Sequence, residues 1–533
     1  MTASTEPRSG SDIREQVRLR WGNQVRPAPL EGGRGLSLGC APDLVPEVCE
    51  IVSDRGRAFG GLVVEEARVG WTLRYLFYGA KEPGWVEVRT DADRSRRTYP
   101  TVSTSVHAAD WHEREAEDLY GLVFEGHPRL GDFVLHDDEW EESVEPMRRA
   151  FDPSQAHRHR RYDPDWRPLR LVRAEGVFVQ PVGPVFSGIH EPVQFLLESI
   201  GEDVLRTVPR LFFKYRAIEK GLEGLEPSEA TLVAERFAAT TAFAHALAFC
   251  RAVEAAWGVE VPIRAATLRA ALAELERLRH HARAIQSICA STGLAVPASQ
   301  VAVVEEDLLR ASGLVAGHRY LFGLVVPGGL SRDVDETRLH AAVRVSSLVA
   351  RRLEEIEGGL MTTSSFLDRL EEVGRVGKEE ALEHGLVGPL SRASGVDRDL
   401  RRDRPYAGYD PDAISVPLRT EGDGLARLRV LFAEARESVR LFGELSGSLP
   451  PGPVLHPRTL TAEGVGIGWA EAPRGASIAW VRLDDDDRVA RCRLVPPSFA
   501  NWHALHLATE GFAFQDFPII LASLGLSVAE CDR

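Results

Sequence analysis

IRAATLRAALAELERLRHHARAIQSICAST, residues 263 to 292, sets Leu268, Leu272, Leu275, Leu278, Ala282, Ile285 and Cys289 at steps of three and four, with Arg and Glu opposite. Residues at those steps share one helix face, so the spacing predicts one wall of a helix bundle. TRLHAAVRVSSLVARRLEEIEGGLM, 337 to 361, follows a Pro-Gly-Gly break at 327 to 329 and carries a second long helical pattern. LARLRVLFAEARESVRLFGEL, 425 to 445, carries a third. Upstream, AERFAATTAFAHALAFC (234 to 250) has no formal charge from Phe237 to Cys250 in a chain that is 27% charged. That run is too short to cross a bilayer and reads as a buried helix or the wall of an internal site. Its small residues, Ala238, Ala239, Thr240, Thr241, Ala242 and Ala244, leave room for a close neighbour.

The rest of the chain reads as α+β. Up to about residue 150, strand-like runs such as GWTLRYLFYGA (70 to 80) and GWVEVRT (84 to 90) alternate with helical stretches such as DLVPEVCEIVSDRG (43 to 56). We assign 1–150 to a small α+β domain, 151–173 to a Pro-, Arg- and His-rich linker, and 174–533 to a mainly helical domain with peripheral β-hairpins. His157 and His159 in the linker have no carboxylate or cysteine at ligand spacing and read as part of a solvated tether. GVGIGW (464 to 469) has glycines without dinucleotide-binding spacing and reads as a tight strand turn. GASIAWVRL and RVARCRLV flank four aspartates at 484 to 487, the pattern of a hairpin with a solvated tip.

Composition excludes several classes. A net charge of −15 and the absence of a basic stripe argue against a nucleic-acid partner. The first residues carry no apolar core of a secretory signal, and no apolar run reaches spanning length. The six cysteines, at 40, 49, 250, 289, 492 and 531, form no CxxC pair and read as reduced thiols.

Two longer stretches resemble one family. ADWHEREAEDLYGLVFEGHPRL (109 to 130) resembles the signature of the C subunit of NADH-quinone oxidoreductase, respiratory complex I. GPVFSGIHEPVQFLLESIGEDVLRTVPRLFFKYRAIEKGLEG (183 to 224) resembles the opening of the complex I D subunit and of the NiFe hydrogenase large subunit. Their fusion, with VGPLSRASGVDRDLRRDRPYAGYD (387 to 410) and EAPRGASIAW (471 to 480), resembles the large subunits of formate hydrogenlyase and hydrogenase-4, the group 4 energy-converting hydrogenases. WHEREAEDLYG then reads as an assembly surface, its acidic residues on a solvated or docking helix face.

The resemblance implies a set of site positions. Hydrogenase large subunits hold nickel and iron on two CxxC pairs, which fall here on Ala238 and Thr241 and, within ASLGLSVAECDR, on Ser527 and Glu530. No thiolate remains at any of them, so no NiFe centre is expected, nor the clipped C-terminal tail that accompanies one; the mature end is expected at Arg533. In complex I the corresponding cavity takes a quinone head between a His and a Tyr. His190 stands at the His position and Ala239 at the Tyr position, while Glu191 stands where hydrogenases keep a proton-passing glutamate. A carboxylate there in an apolar pocket would have a raised pKa. Arg474, from the family's APRG motif, completes a cavity lined by Ala238, Ala239, Thr241, Arg474, Ser527 and Glu530, with a salt bridge to Glu530 as its structural role.

The implied protein is a peripheral subunit on the cytoplasmic side of the cell membrane, in an ion-translocating oxidoreductase complex of the electron-transport type. It would bind no cofactor of its own. Its expected partners are an iron–sulfur small subunit resembling the complex I B subunit, which carries a [4Fe–4S] cluster, and antiporter-like and other integral membrane subunits. Quinone reduction at His190 and Glu191 is one reading, with NAD linked only through the family. A non-catalytic scaffold is another, a hydrogenase subunit with an unusual metal site a third, and a different metal on His190, Glu191 and Glu530 a fourth.

Overall fold

The computed structural model describes residues 13–67, 70–80, 84–136, 140, 144–152, 154, 170–185, 191–457 and 463–533. Two compact units, 1–166 and 167–533, divide the chain. Most of the stretch read as a linker, including His157 and His159, lies outside the described residues.

In the first unit, strands Val25–Pro29, Gly35–Cys40, Trp85–Asp93, Gly70–Tyr78 and Ala58–Glu66 lie side by side in that order. All neighbours are antiparallel except Gly35–Cys40 beside Trp85–Asp93. Every residue of Gly70–Tyr78 is buried, so both faces of this inner strand are covered. Arg74 at its middle is held by Glu87 at 3.1 Å and Glu65 at 3.0 Å, which balances a charge the pleat forces inward.

The helix Asp110–Tyr120, which contains WHEREAEDLYG, is not a solvated acidic face. Glu113 is fully buried; it accepts hydrogen bonds from the Val102 amide at 2.8 Å, the Tyr75 hydroxyl at 3.1 Å and Thr101. Burial pushes its carboxyl up to about 7 against those donors. Asp118 accepts the amides of Val134 at 2.6 Å and Leu135 at 3.0 Å. These acids order the unit's own loops, a use that helical periodicity cannot reveal.

The second unit is built on a bundle of Ile263–Ser291, Ala295–Ala316, Glu336–Leu360 and Gly424–Gly447. Ile263–Ser291 is its axle, and its charged residues do not line an exposed face. Arg264, Arg269, Glu274, Glu276, Arg277, Arg279, His280 and His281 are all buried, each facing a neighbouring element. Arg269 grips Glu254 at 2.6 and 3.1 Å, and Glu274 meets Arg401 at 3.0 Å and the Ser438 hydroxyl at 2.8 Å. His281 meets Glu434 at 2.9 Å, and Glu434 meets Arg392 at 2.7 Å, which continues to Glu471 at 2.9 Å. The apolar period holds, but the opposite face is also interior because other elements wrap it.

What packs on the uncharged run is a strand. Residues 242–257 form a helix, and Gly464–Ala472 lies across it as the first strand of a three-stranded antiparallel sheet with Gly475–Leu483 and Val489–Val495. GVGIGW is therefore strand interior and not a turn. A Cβ on Gly464, Gly466 or Gly468 would come within 2.5, 1.9 and 2.1 Å of the carbonyl oxygens of Ala256, Ala252 and Ala248. Alternate glycines face one side of a strand and alanines four apart face one side of a helix, which lets the two backbones touch. The four aspartates do form a hairpin tip, but Asp487 is buried and accepts the Trp257 indole N–H at 2.6 Å.

Candidate functional site: a carboxylate in place of thiolates

Thr241 immediately precedes the helix Ala242–Trp257 and His245 follows one turn later, so both side chains leave the same face. No side chain of the helix caps its own start. Glu276 of the axle helix does so instead, accepting the amides of Phe243 at 2.8 Å and Ala244 at 3.0 Å. A carboxylate across a helix N-terminus satisfies amides that have no partner within the helix and complements its dipole. Arg279, one turn along the axle, donates to the Thr240 carbonyl. The segment around Thr241 is therefore held by the axle.

Ser527 caps the four-residue helix Val528–Cys531, its hydroxyl accepting the Glu530 amide at 3.3 Å. Its own amide donates to the Ser498 hydroxyl at 3.1 Å and its carbonyl accepts the Trp502 indole at 3.1 Å. Arg474 occupies the two-residue connection between paired Ala472 and Gly475. Asn501 pins that turn by donating to the Arg474 carbonyl at 3.2 Å while accepting the Val387 amide at 2.9 Å. Gly388 is required here, with φ of 71° and a hypothetical Cβ only 2.0 Å from the Arg474 carbonyl oxygen.

These three segments meet at Glu530, which is completely buried. Its Oε1 accepts from Thr241 Oγ1 at 2.9 Å and from Arg474 Nη1 at 3.1 Å, and His245 Nε2 lies 3.5 Å away. Its Oε2 accepts the Ser498 amide at 2.9 Å. Around this core, Thr241 Oγ1 and His245 Nε2 are 3.0 Å apart, and His245 Nδ1 is 2.9 Å from the Ser477 hydroxyl. Arg474 also donates to the Gly525 carbonyl at 2.7 Å and to Thr240 at 3.3 Å. Burial opposes ionisation of Glu530, but Arg474, His245 and the Ser498 amide outweigh it and hold the carboxyl well below the usual carboxylate range.

Three of the predicted positions thus touch directly: Thr241, Arg474 and Glu530, with the predicted Arg474–Glu530 salt bridge formed. Ser527 joins through its cap, and Ala238 is buried just before the turn that carries Thr241. Ala239 is exposed. His190 lies outside the described residues. Glu191 is one-third exposed and pairs with Arg216 at 2.9 Å and Lys214 at 3.6 Å. Sequence reasoning missed His245, Ser477 and Ser498. The signal for His245 was present: one imidazole in an otherwise uncharged run, four residues after a threonine. Asp532, also missed, is pushed up to about 7 by burial against the pull of Arg216.

The four positions do not fit a nickel–iron centre. The positions that the resemblance sets against the cysteine ligands offer one methyl group, two hydroxyls and one carboxylate where a nickel–iron centre needs soft sulfur donors, and the carboxylate already accepts three protein hydrogen bonds. Cys250 is buried in the helix, its Sγ 3.6 Å from Thr231, and burial pushes its thiol up to about 12, far from the thiolate a metal needs. Among the described residues, no group of three His, Cys, Asp or Glu is arranged to hold a metal ion. None of the described helices is long and apolar enough to cross a membrane.

A model of the family described as "Respiratory-chain NADH dehydrogenase, 49 Kd subunit" matches residues 293–463 and 457–533. The "30 Kd subunit" model of the same enzyme matches residues 38–157. Formate hydrogenlyase subunit 5 of Escherichia coli (strain K12) is 31% identical over 84% of this chain and 79% of its own length. Hydrogenase-4 component G of the same strain is 31% identical over 85% and 79%. The fused C/D protein of NADH-quinone oxidoreductase from Acinetobacter baylyi is 25% identical over 87% and 85%. With both subunit types matched in one polypeptide, the chain belongs to the fused C/D-type family of complex I subunits and group 4 energy-converting NiFe hydrogenase large subunits.

Proposed function

We propose that this chain is a scaffold and coupling subunit of a membrane-associated oxidoreductase complex related to complex I and formate hydrogenlyase. In this reading it docks peripherally, on the cytoplasmic side, against an iron–sulfur subunit that carries a [4Fe–4S] cluster and against antiporter-like membrane subunits. The redox chemistry of its hydrogenase relatives is absent from it. One observation carries the reading: Glu530 fills one former ligand position and binds another, Thr241, at 2.9 Å, while Arg474 neutralises it at 3.1 Å. A buried carboxylate bound by donors from three separate segments ties those segments into one body.

The test is the purified native complex. Nickel should fall far below one equivalent, viologen-linked hydrogen uptake should be absent, and His190→Ala and Glu191→Gln should leave any quinone-dependent turnover of the assembled complex unchanged. If either variant loses that turnover with assembly intact, the quinone reading replaces this one. Near-stoichiometric nickel would reject both.

A further inference from the structure

We propose that a small pocket of the second unit, lined mostly by buried residues on the bundle side of Arg474, is a binding site for a monovalent anion of chloride size. The cavity measures about 30 Å³ and is bounded by His280 of the axle helix, Arg427 and Leu431 of Gly424–Gly447, Arg474, Asn501 and Ser523. That is room for one small occupant, since a cavity needs roughly 10–15 Å³ to hold a water.

Arg427 is the first reason to expect an anion. It is 2% exposed. Its guanidinium donates only to neutral groups: the Ser523 hydroxyl from Nε at 3.1 Å and from Nη2 at 2.8 Å, and the Gly422 carbonyl from Nη1 at 2.9 Å. Asp423, one turn earlier, has its oxygens engaged by the amides of Ala426 at 2.7 Å and Glu372 at 2.8 Å. Among the described residues, no carboxylate lies within ion-pair distance of Arg427. Burial pulls its guanidinium down to about 10, with Asp423 offering only partial compensation. A buried charge without a counter-ion is strongly disfavoured.

The rest of the lining agrees. His280 is buried, and its Nδ1 has no hydrogen-bond partner among the described residues. With a proton on that nitrogen it would donate to an anion. The Ser523 hydroxyl proton is committed to the Ile520 carbonyl at 2.8 Å, and both ends of the Asn501 amide are engaged. Lining acceptors are therefore scarce, while the Arg427 guanidinium supplies positive potential that no described carboxylate offsets. Ala284, Leu390 and Leu431 make the remaining wall apolar. A donor-rich, half-apolar cavity of this size suits a weakly hydrated monatomic anion better than a polyatomic oxyanion or a cation. Since Arg474 spends its charge on Glu530, the bound anion would compensate Arg427.

Thermal unfolding of the purified full chain at constant ionic strength, with sodium gluconate replaced stepwise by sodium chloride or bromide, tests this. The midpoint should rise saturably with either halide, because a ligand that binds only the folded state stabilises it by mass action. Arg427→Met should weaken apparent halide affinity by about tenfold or more, and Ala284→Leu, which fills the cavity, should abolish the halide effect. Crystals grown in bromide should give an anomalous peak between Arg427 and His280. A midpoint with no saturable dependence on halide for the unaltered chain, or no anomalous peak in the cavity, would overturn the proposal, and both readings stand without any variant.

Discussion

Replacing Arg474 by methionine removes the arginine that pairs with Glu530, and the structure allows the penalty to be worked out. Glu530 is 0% exposed, and its carboxylate would keep only Thr241, the Ser498 amide and His245. Breaking a buried ion pair from one side costs about 3–5 kcal/mol, because the remaining charge stays desolvated. Glu530→Gln should cost less, about 2 kcal/mol: the Arg474 side chain is 14% exposed, keeps its bond to Gly525 and can reach water. The double variant should lose about 3–4 kcal/mol, below the sum of the two, leaving a coupling of about 2 kcal/mol. Urea unfolding of the four proteins, followed by circular dichroism with unchanged m-values, measures the cycle. Arg474→Met should also be less damaging near pH 5 than near pH 8, since an unpaired buried carboxyl can take up a proton. Additivity within about 0.5 kcal/mol would refute the claim that the former ligand positions are held together by this pair.

Other consequences can be checked on the same protein. Glu530 is held below its ordinary value of 4.5 and Glu434 is lowered to about 2, burial in both cases being outweighed by arginine and histidine partners. Their contribution to stability should therefore be complete above pH ~4.5 and lost as the pH falls towards the folded values; acid titration of unfolding should show Glu530→Gln flattening that limb. Gly466→Ala or Gly468→Ala should prevent stable folding or cost several times the effect of an ordinary glycine change, because the new methyl would lie 1.9 or 2.1 Å from a helix carbonyl oxygen. Gly358→Ala, exposed on its helix with open space around it, should instead stabilise by about 0.5–1 kcal/mol, and calorimetry of the variants compares them. Only Cys40 of the six cysteines is not fully buried, and burial still pushes its thiol up to about 12. The native chain should therefore react slowly with a thiol reagent, and with less than one equivalent until it is denatured.

The long helices, the charged hairpin tip and the family were legible in the sequence because they depend on local spacing and on extended motifs. Residues at steps of three and four must share a helix face, and a fused pair of long signatures is recognisable wherever it folds. The pairing of Arg474 with Glu530 was likewise legible once the family's motif was recognised. Other features had no local signal. Nothing in IRAATLRAALAELERLRHHARAIQSI marks its arginines and glutamates as interior; only neighbours supplied from Glu254, Arg401 and Glu434 make that helix an axle. The glycines of GVGIGW looked like a turn because their use lies in Ala248, Ala252 and Ala256, which are more than two hundred residues away in the chain. The meeting of Thr241, Arg474 and Ser498 at Glu530 was decided by tertiary structure alone. That outcome depends on the carboxylate of Glu530 reaching Thr241, Arg474 and the Ser498 amide at hydrogen-bonding distance, from segments that meet only in the folded chain.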